Sequence, residues 1–264
     1  MNPHNRIKMT AGAAIHRVRL VARHTVGEAL HLRVTSLLGL MGAGLVVGGW
    51  WLREFNFGTV ELKFIADFGL GAIGLFGTLL AALLTAQLFF QELETRAVYC
   101  VLTRPVRRAE YLAGKLAGVA AVLAMFTFGL GALLGGLLVW RARQLGVDAV
   151  ALPVLWAACA LQWFKLTLVA ALTLLVSTYA RSALFASGAG LMLALAGHLR
   201  GFAPASGAGW WRVWPDFSLF DAEALVAAGR MPGGGWLLGL VAYWAAYGLL
   251  FFGLAAFIFK RREL

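Results

Sequence analysis

The chain has 264 residues, of which 61% are hydrophobic and 13% are charged, and its formal net charge is +11. Soluble domains are about 45–50% apolar and about 25% charged, so this composition excludes a water-soluble globule and indicates an integral membrane protein. The basic residues lie in short segments between apolar runs, a pattern that sets membrane topology. A nucleic-acid-binding protein instead concentrates them on one face, so we expect no nucleic-acid partner.

The N-terminal segment, residues 1–33, is predicted to be cytoplasmic and interfacial, with an amphipathic helix over residues 13–33. At 100° per residue its apolar side chains fall on one side, and basic side chains such as Arg17 and Arg23 fall on the other. A basic amphipathic helix leading into an apolar span is typical of a helix in the inner headgroup plane. The apolar face comprises Ile15, Val18, Val21, Ala22, Val26, Ala29 and Leu32.

Six apolar stretches have about the 20 residues that a helix needs to cross the hydrocarbon core. Their apolar residues are continuous rather than alternating, so they predict helices and not barrel strands. The predicted spans are Val34–Leu52, Phe68–Phe90, Leu116–Trp140, Pro153–Thr178, Ser182–Leu199 and Trp236–Phe259. The sequence therefore predicts one all-α membrane domain, residues 1–264, with a cytoplasmic loop at 91–113 and an external loop at 200–235.

The orientation follows from Lys and Arg, which favour cytoplasmic loops. Placing both termini in the cytoplasm puts fifteen of the 23 Lys and Arg inside and seven outside, while Lys165 lies within a span. Eight of the ten Trp then fall at or near the outer face, at the headgroup level where this side chain anchors. We expect a multi-pass protein of the cell membrane with cytoplasmic termini.

Sequence motifs for catalysis or for binding nucleotides and metals are missing. There is no G-x-x-x-x-G-K-[ST] phosphate loop, and Cys100 and Cys159 belong to no metal-binding pattern. The one G-x-G-x-x-G match, Gly69 to Gly74, lies inside an apolar helix, where small residues favour close helix packing. Two further small-residue pairs, packing within or between chains, are Gly44/Gly48 and Gly131/Gly135. We predict no catalytic, cofactor-binding or metal-binding residue.

The stretch from Gln91 to Lys115 carries the most informative pattern. Acidic residues leave the second span, a short helix over 94–103 follows, Arg104-Pro105 interrupts it, and a second helix runs into the third span. A positive-inside loop would explain the arginines but not the order of these features. In order they are Glu92, Glu94, Val101-Leu102, Thr103-Arg104-Pro105-Val106-Arg107 and Tyr111-Leu112-Ala113-Gly114-Lys115.

This order resembles the cytoplasmic loop of ABC transporter type-2 permeases. In that family an acidic pair, a short helix, a Ser/Thr-Arg-Pro-Val-Arg turn and a Tyr/Leu-x-x-Gly-Lys entry follow one another, although Thr95-Arg96-Ala97 departs from the family pattern. Two segments around the last span are also similar to the family: Trp214-Pro215-Asp216-Phe217-Ser218-Leu219-Phe220-Asp221 and Phe259-Lys260-Arg261-Arg262-Glu263-Leu264.

The resemblance implies a type V ABC exporter-like fold and a permease subunit that is not itself an enzyme. ATP and Mg would be bound by a separate ATPase subunit, and no cofactor by this chain. The implied partners are that ABC ATPase, a second permease copy or a paralogue, and the lipid bilayer. The residues implied to couple to the ATPase are Glu92, Glu94, Arg96, Arg104, Pro105, Arg107, Arg108, Tyr111 and Lys115.

Lys165 is the one charged residue well inside a predicted span, about 18–20 Å from either end at 1.5 Å per residue. A central lysine costs roughly 2.5–3.5 kcal/mol on insertion scales and usually indicates a hydrated path or a partner. No Asp or Glu lies inside the six spans, and Gln162 lies one turn away on the same face. We hypothesise that Lys165 and Gln162 line the translocation pathway and favour an anionic or polar substrate group. The alternative is a shorter fourth span, with residues 153–164 in the outer interface.

Two other functions remain open. An ion-coupled secondary transporter would place carboxylates in its spans and would usually contain inverted repeats, and the sequence shows neither. A membrane scaffold or assembly factor would need neither feature. An ATPase gene next to this one would separate the ABC permease from both.

Overall fold

A computed structural model describes residues 3–51, 61–94, 108–146, 152–200, 214–221 and 233–261, with the backbone alone for residues 3–13, Trp50 and Glu94. These residues form α-helices and one 3-10 turn, Ser218–Phe220. The helices are α1 (Pro3–His31), α2 (Arg33–Trp51), α3 (Glu61–Glu94), α4 (Arg108–Leu145), α5 (Leu152–Tyr179), α6 (Ala183–Leu199) and α7 (Gly234–Arg261).

Four of the described helices, α3, α4, α5 and α7, are each long and apolar enough to cross a membrane. Helices α1 and α2 pass the same test as a pair that is bent by 67°, and α6 is apolar but shorter. The predicted all-α, multi-pass membrane architecture is therefore confirmed.

Several helices extend beyond the predicted boundaries. Helix α1 begins at Pro3 rather than at residue 13, because proline suits the first turn of a helix and no other proline follows in this segment. Helix α3 continues to Glu94 and α4 begins at Arg108, so both ends of the predicted 91–113 loop are helical. The predicted helix 94–103 and the break at Arg104-Pro105 fall on residues that the structure does not describe, apart from the start of the former at Glu94.

Helices α2 to α7 run alternately between two ends of a bundle. At one end, which we call the α1 end, the last turns of α3 and α7 meet the first turns of α4, since Phe259 packs against Phe89 and Tyr111. At the opposite end, Arg141 near the end of α4 pairs with Glu61 at the start of α3 at 2.8 Å. Helices α3 and α5 form the centre, whereas α7 lies at the periphery with most of its apolar surface exposed.

Close contacts between the helices depend on small residues. A Cβ at Gly69 would lie 2.5 Å from Leu134 of α4, and one at Gly74 would overlap the side-chain amide of Gln162. The predicted packing role of the Gly69–Gly74 motif is confirmed, and the partners lie within the chain. Gly44 of α2 has no described atom within 4 Å of such a Cβ.

Helix α1 lies against the first half of α4. A Cβ at Gly114 would be 2.6 Å from the Cβ of Val21 and 2.9 Å from the backbone oxygen of Val18. Glycine alone has only a hydrogen atom as its side chain, so the two helix backbones approach each other more closely here than any other residue would allow. The close approach fixes α1 across the entrance to α4.

The predicted faces of α1 need one correction. Arg17, assigned to the polar face, donates two hydrogen bonds to Glu110 of α4 at 2.8 and 3.0 Å. The periodicity of α1 could not predict this contact, because it depends on where Glu110 of α4 lies in the fold.

The α1–α4 contact leads to a first prediction. We expect Gly114→Ala to lower the thermal unfolding midpoint of the detergent-purified chain, because the new Cβ would meet Val21 and the backbone of Val18. Overpacking of this kind costs about 1–3 kcal/mol. Gly129→Ala on the same helix is the matched control, since nothing lies within 4 Å of a Cβ there. Equal midpoints for the two variants would contradict the packing.

Candidate functional site

A cluster of charged side chains lies at the α1 end. The ammonium group of Lys115 is fully buried and lies 2.5 Å from Oε1 of Glu92 on α3 and 3.6 Å from Oε2 of Glu28 on α1. The hydroxyl of Tyr111 donates a hydrogen bond to the other oxygen of Glu92. Because a buried lysine needs a compensating charge, this cluster joins α1, α3 and α4.

Arg108 adds α7 to the same end. Its guanidinium donates hydrogen bonds to the backbone oxygens of Phe259 and Lys260 at 3.0 and 3.1 Å. The last carbonyls of a helix lack intrahelical partners, and a nearby cation satisfies them and complements the helix dipole. The first residue of α4 therefore holds the end of α7.

A half-open cavity of about 520 Å³ lies between α3, α5 and α6. Its wall is mostly apolar, and its polar side chains are Gln162 and Lys165 of α5, Thr78 of α3, His198 of α6 and Asp221 of the segment that precedes α7. Lys165 and Gln162 are 6% and 7% exposed.

Lys165 has an ion-pair partner in this cavity. Its Nζ donates to Oδ1 of Asp221 at 2.7 Å, and Nε2 of His198 lies 3.2 Å from the other oxygen, Oδ2. Side chains on a helix tilt toward its N-terminus, so Lys165 extends toward the end of α5 at which Asp221 lies. One carboxylate thus faces two nitrogen-bearing side chains from two helices.

The segment 214–221 packs into the bundle. Phe217 and Phe220 are buried, and the N–H of Phe217 donates to the backbone oxygen of Gly197 at 3.2 Å. A Cβ at Gly197 would overlap the ring of Phe217, so glycine permits this approach. The hydroxyl of Tyr243 accepts from the N–H of Asp216 at 2.7 Å, which ties the segment to α7.

A comparison with protein families decides which family the chain belongs to. A family model described as "ABC-2 family transporter protein" matches residues 8–210, well over half of the sequence. The chain belongs to the ABC-2 transporter family. No curated protein matches it significantly. The resemblance inferred from the residues between Gln91 and Lys115 is confirmed, and the ABC-2 chain is a transmembrane component of a transporter.

The ABC-2 chain holds several of the predicted coupling residues inside the bundle. Glu92, Tyr111 and Lys115 are 7%, 2% and 0% exposed, so they lack the surface that direct contact with an ATPase needs. They hold together the two helix ends on either side of the predicted coupling loop, and their coupling to an ATPase stays a prediction. Five other predicted positions lie outside the described side chains, namely Glu94, Arg96, Arg104, Pro105 and Arg107, and the ninth, Arg108, binds the end of α7.

The predicted pathway residues, Lys165 and Gln162, share one cavity wall of the ABC-2 chain. Helix α5 is continuous from Leu152 to Tyr179, so the segment before Lys165 is part of the same helix. Whether these side chains contact substrate stays a prediction.

Two polar groups of the cavity, Asp221 and His198, were missed by the sequence reasoning. The sequence pattern predicts Asp221 in an external loop, and no Asp or Glu lies inside the six predicted spans. Two phenylalanines spaced three apart, Phe217 and Phe220, were the available signal that this segment docks. The spacing of these phenylalanines does not predict how deeply the segment inserts into the bundle.

The side chains His24, Glu28 and Glu92 of the ABC-2 chain have ligand atoms within 4.8 Å of one another, a spacing that a metal ion can bridge. The ammonium of Lys115 already lies against both carboxylates. It supplies the positive charge that a metal would bring, so the donor set fits an ion-pair cluster better than a metal centre.

The second prediction concerns the Lys115–Glu92 pair. We expect Lys115→Met and Glu92→Gln each to destabilise the purified chain strongly, because breaking a buried pair costs about 3–5 kcal/mol. The double variant should lose less than the sum of the two, since neither charge then lacks its partner. Unfolding free energies of the four proteins form the double-mutant cycle, and strictly additive losses would contradict the pairing.

Proposed function

We propose that this chain is the membrane-spanning permease subunit of an ABC exporter that is driven by a separate ATPase subunit. The observation that carries the proposal is the cavity with Lys165, Gln162, His198 and Asp221, which lies within the bundle of a transporter-family protein. Ionisable groups at such depth are costly in a bilayer and mark substrate or ion paths.

Six spans, α2 to α7, are part of the proposal. They alternate in direction, and α6, at about 1.5 Å per residue, is only slightly shorter than the hydrocarbon core of about 30 Å. A short span is accommodated by local thinning of the bilayer. The distribution of Lys and Arg supports a cytoplasmic α1 end. The 67° bend between α1 and α2 supports an N-terminal helix along the inner membrane surface.

Two permease subunits are proposed to pair across the cavity. The cavity is open on one side, and acyl chains cannot satisfy the polar groups inside it. A second copy or a paralogue would close this side and enclose a path between the two subunits, as in a type V exporter-like arrangement. ATP-driven rocking of the two subunits would move the substrate outward.

The ATPase is proposed to dock on the cytoplasmic loop between α3 and α4. The loop leaves α3 beside Glu92 and enters α4 at Arg108, and the contacts of these residues connect it to α1, α4 and α7. A displacement of the loop would therefore act on several helices together. ATP and Mg are assigned to the partner.

An ion-coupled transporter is the second candidate, because the cavity contains a carboxylate and a histidine of the kind that carry protons or ions. Family membership favours the ABC permease. Dependence on ATP or on an ion gradient separates the two.

The third prediction tests assembly. We expect the tagged chain to co-purify with a P-loop ATPase encoded in the same genome, and the complex to hydrolyse ATP. Arg104→Glu/Arg107→Glu should abolish recovery of the ATPase without changing membrane insertion, because it reverses the charge of the docking loop. Arg143→Glu is the matched control, since Arg143 is exposed at the opposite end of α4.

Two results would contradict the assembly proposal. Absence of any P-loop ATPase from the wild-type preparation would contradict the proposal that the partner is an ABC ATPase. Unchanged recovery with the loop variant would place the docking surface elsewhere on the chain.

The fourth prediction tests the orientation. In a Cys100→Ser/Cys159→Ala background, we expect a membrane-impermeant maleimide to label Gln144→Cys in intact cells. Ala109→Cys should react only after the cells are permeabilised. Both positions are exposed and lie at opposite ends of α4. The reverse labelling would invert the proposed topology, and labelling of both in intact cells would contradict a crossing by α4.

A further inference from the structure

The two members of the Lys165–Asp221 pair differ in how firmly they are enclosed. The side chain of Lys165 is 8% exposed and belongs to the central helix α5, whereas that of Asp221 is 35% exposed and follows a short docked segment. The cation is therefore a fixed part of the cavity, and the carboxylate lies on its more open side. Of the two charges, the carboxylate is the one that can be exchanged.

The carboxylate is held as a small anionic ligand would be held. Each oxygen faces a different nitrogen: Oδ1 faces Nζ of Lys165 at 2.7 Å and Oδ2 faces Nε2 of His198 at 3.2 Å. Charge-assisted bonds of this kind bind carboxylates and phosphates in general. The two nitrogens come from α5 and α6, so the site exists independently of the segment that supplies Asp221.

The rest of the cavity is suited to an apolar group. Its wall includes Leu75 and Leu79 of α3, Val169 of α5, and Leu191 and Leu195 of α6. Its volume of about 520 Å³ falls within the range of about 300–1,000 Å³ that is usual for small-molecule sites. A cationic end and an apolar wall together match a molecule with one anionic group and a hydrocarbon part.

We propose that Lys165 and His198 form the binding site for the anionic group of an amphiphilic substrate, and that Asp221 occupies this site when the substrate is absent. The inference rests on the proposed permease function and names its substrate class: amphiphiles that carry a carboxylate or a phosphate. Exchange of one carboxylate for another anion keeps the number of charges in the cavity unchanged, so Lys165 is paired in both states.

The segment can stay docked while Asp221 leaves the site. Among the described residues, the Phe217–Gly197 and Asp216–Tyr243 hydrogen bonds anchor the segment, and both precede Asp221 in the chain. Release therefore needs a change at Asp221 itself rather than removal of the buried phenylalanines. The side chain competes with the substrate as an internal ligand, and the apparent affinity is reduced by the fraction of sites that it occupies.

The experiment measures binding to the purified full chain in a nonionic detergent. The probes are dodecyl phosphate, dodecyltrimethylammonium and inorganic phosphate, and the readout is the saturable rise of the unfolding midpoint that a ligand of the folded state produces. We expect the wild-type chain to bind dodecyl phosphate, Asp221→Asn to bind it about tenfold more tightly because the internal competitor is removed, and Lys165→Met to lose saturable binding.

The charge-swapped variant Lys165→Asp/Asp221→Lys provides the sharpest test. It restores the ion pair with reversed polarity, so we expect it to prefer dodecyltrimethylammonium over dodecyl phosphate. Glu61→Gln is the matched control, because it removes a carboxylate from the ion pair with Arg141 outside the cavity. Its affinity for dodecyl phosphate should equal that of the wild type.

Three outcomes would overturn the proposal. Equal affinity of Asp221→Asn and the wild type would show that Asp221 does not compete. If Lys165→Met bound dodecyl phosphate as the wild type does, the probe would be partitioning into the protein without using the cationic site. If the wild type bound inorganic phosphate as tightly as dodecyl phosphate, the apolar wall would contribute nothing to binding. Because the assay contains no ATPase, its failure would leave the assembly result standing, and failure of assembly would not alter this binding.

Discussion

The packing at the α1 end depends on the buried ammonium group of Lys115. Its side chain has no exposed surface, and the carboxylates that compensate it come from α3 and α1. An uncompensated ion costs several kcal/mol in a protein interior. Helices α1, α3 and α4 therefore cannot slide past one another at this end without breaking the pair, and the pair fixes their register.

The Lys165–Asp221 pair has the same chemistry and a different consequence. Lys115 is paired by side chains from helices, whereas Lys165 is paired by a residue that follows a docked segment of the polypeptide. A pair between packed helices resists separation, because the two separated charges would stay buried without water to solvate them. A pair at the edge of an open cavity can exchange its outer member for water or another anion. The same kind of lysine–carboxylate pair thus fixes the helices at the α1 end and forms an exchangeable contact in the cavity.

The sequence predicted the features that depend on local pattern, and it missed those that depend on tertiary contact. The apolar runs gave the helices, and the order of residues from Glu92 to Lys115 indicated the family that the comparison then showed. The position of Lys165 indicated a polar site within a span. Its partner could not be predicted, because the position of Asp221 depends on the contact between Phe217 and Gly197, which are far apart in the local sequence pattern. In the same way, the faces of α1 could not be assigned without knowledge of Glu110.

Helix α3 links the two sites mechanically. It is about 50 Å long at 1.5 Å per residue, carries Glu92 at the α1 end, and contributes the stretch from Leu70 to Leu79 to the cavity wall. The close approach of Gly74 to Gln162 joins this stretch to α5, the helix that carries Lys165. A rigid helix cannot move at Glu92 without moving this wall. The segment with Asp221 is instead attached to α6 and α7, through Gly197 and Tyr243. The Lys165–Asp221 contact therefore joins α5 with the segment that is docked on α6 and α7.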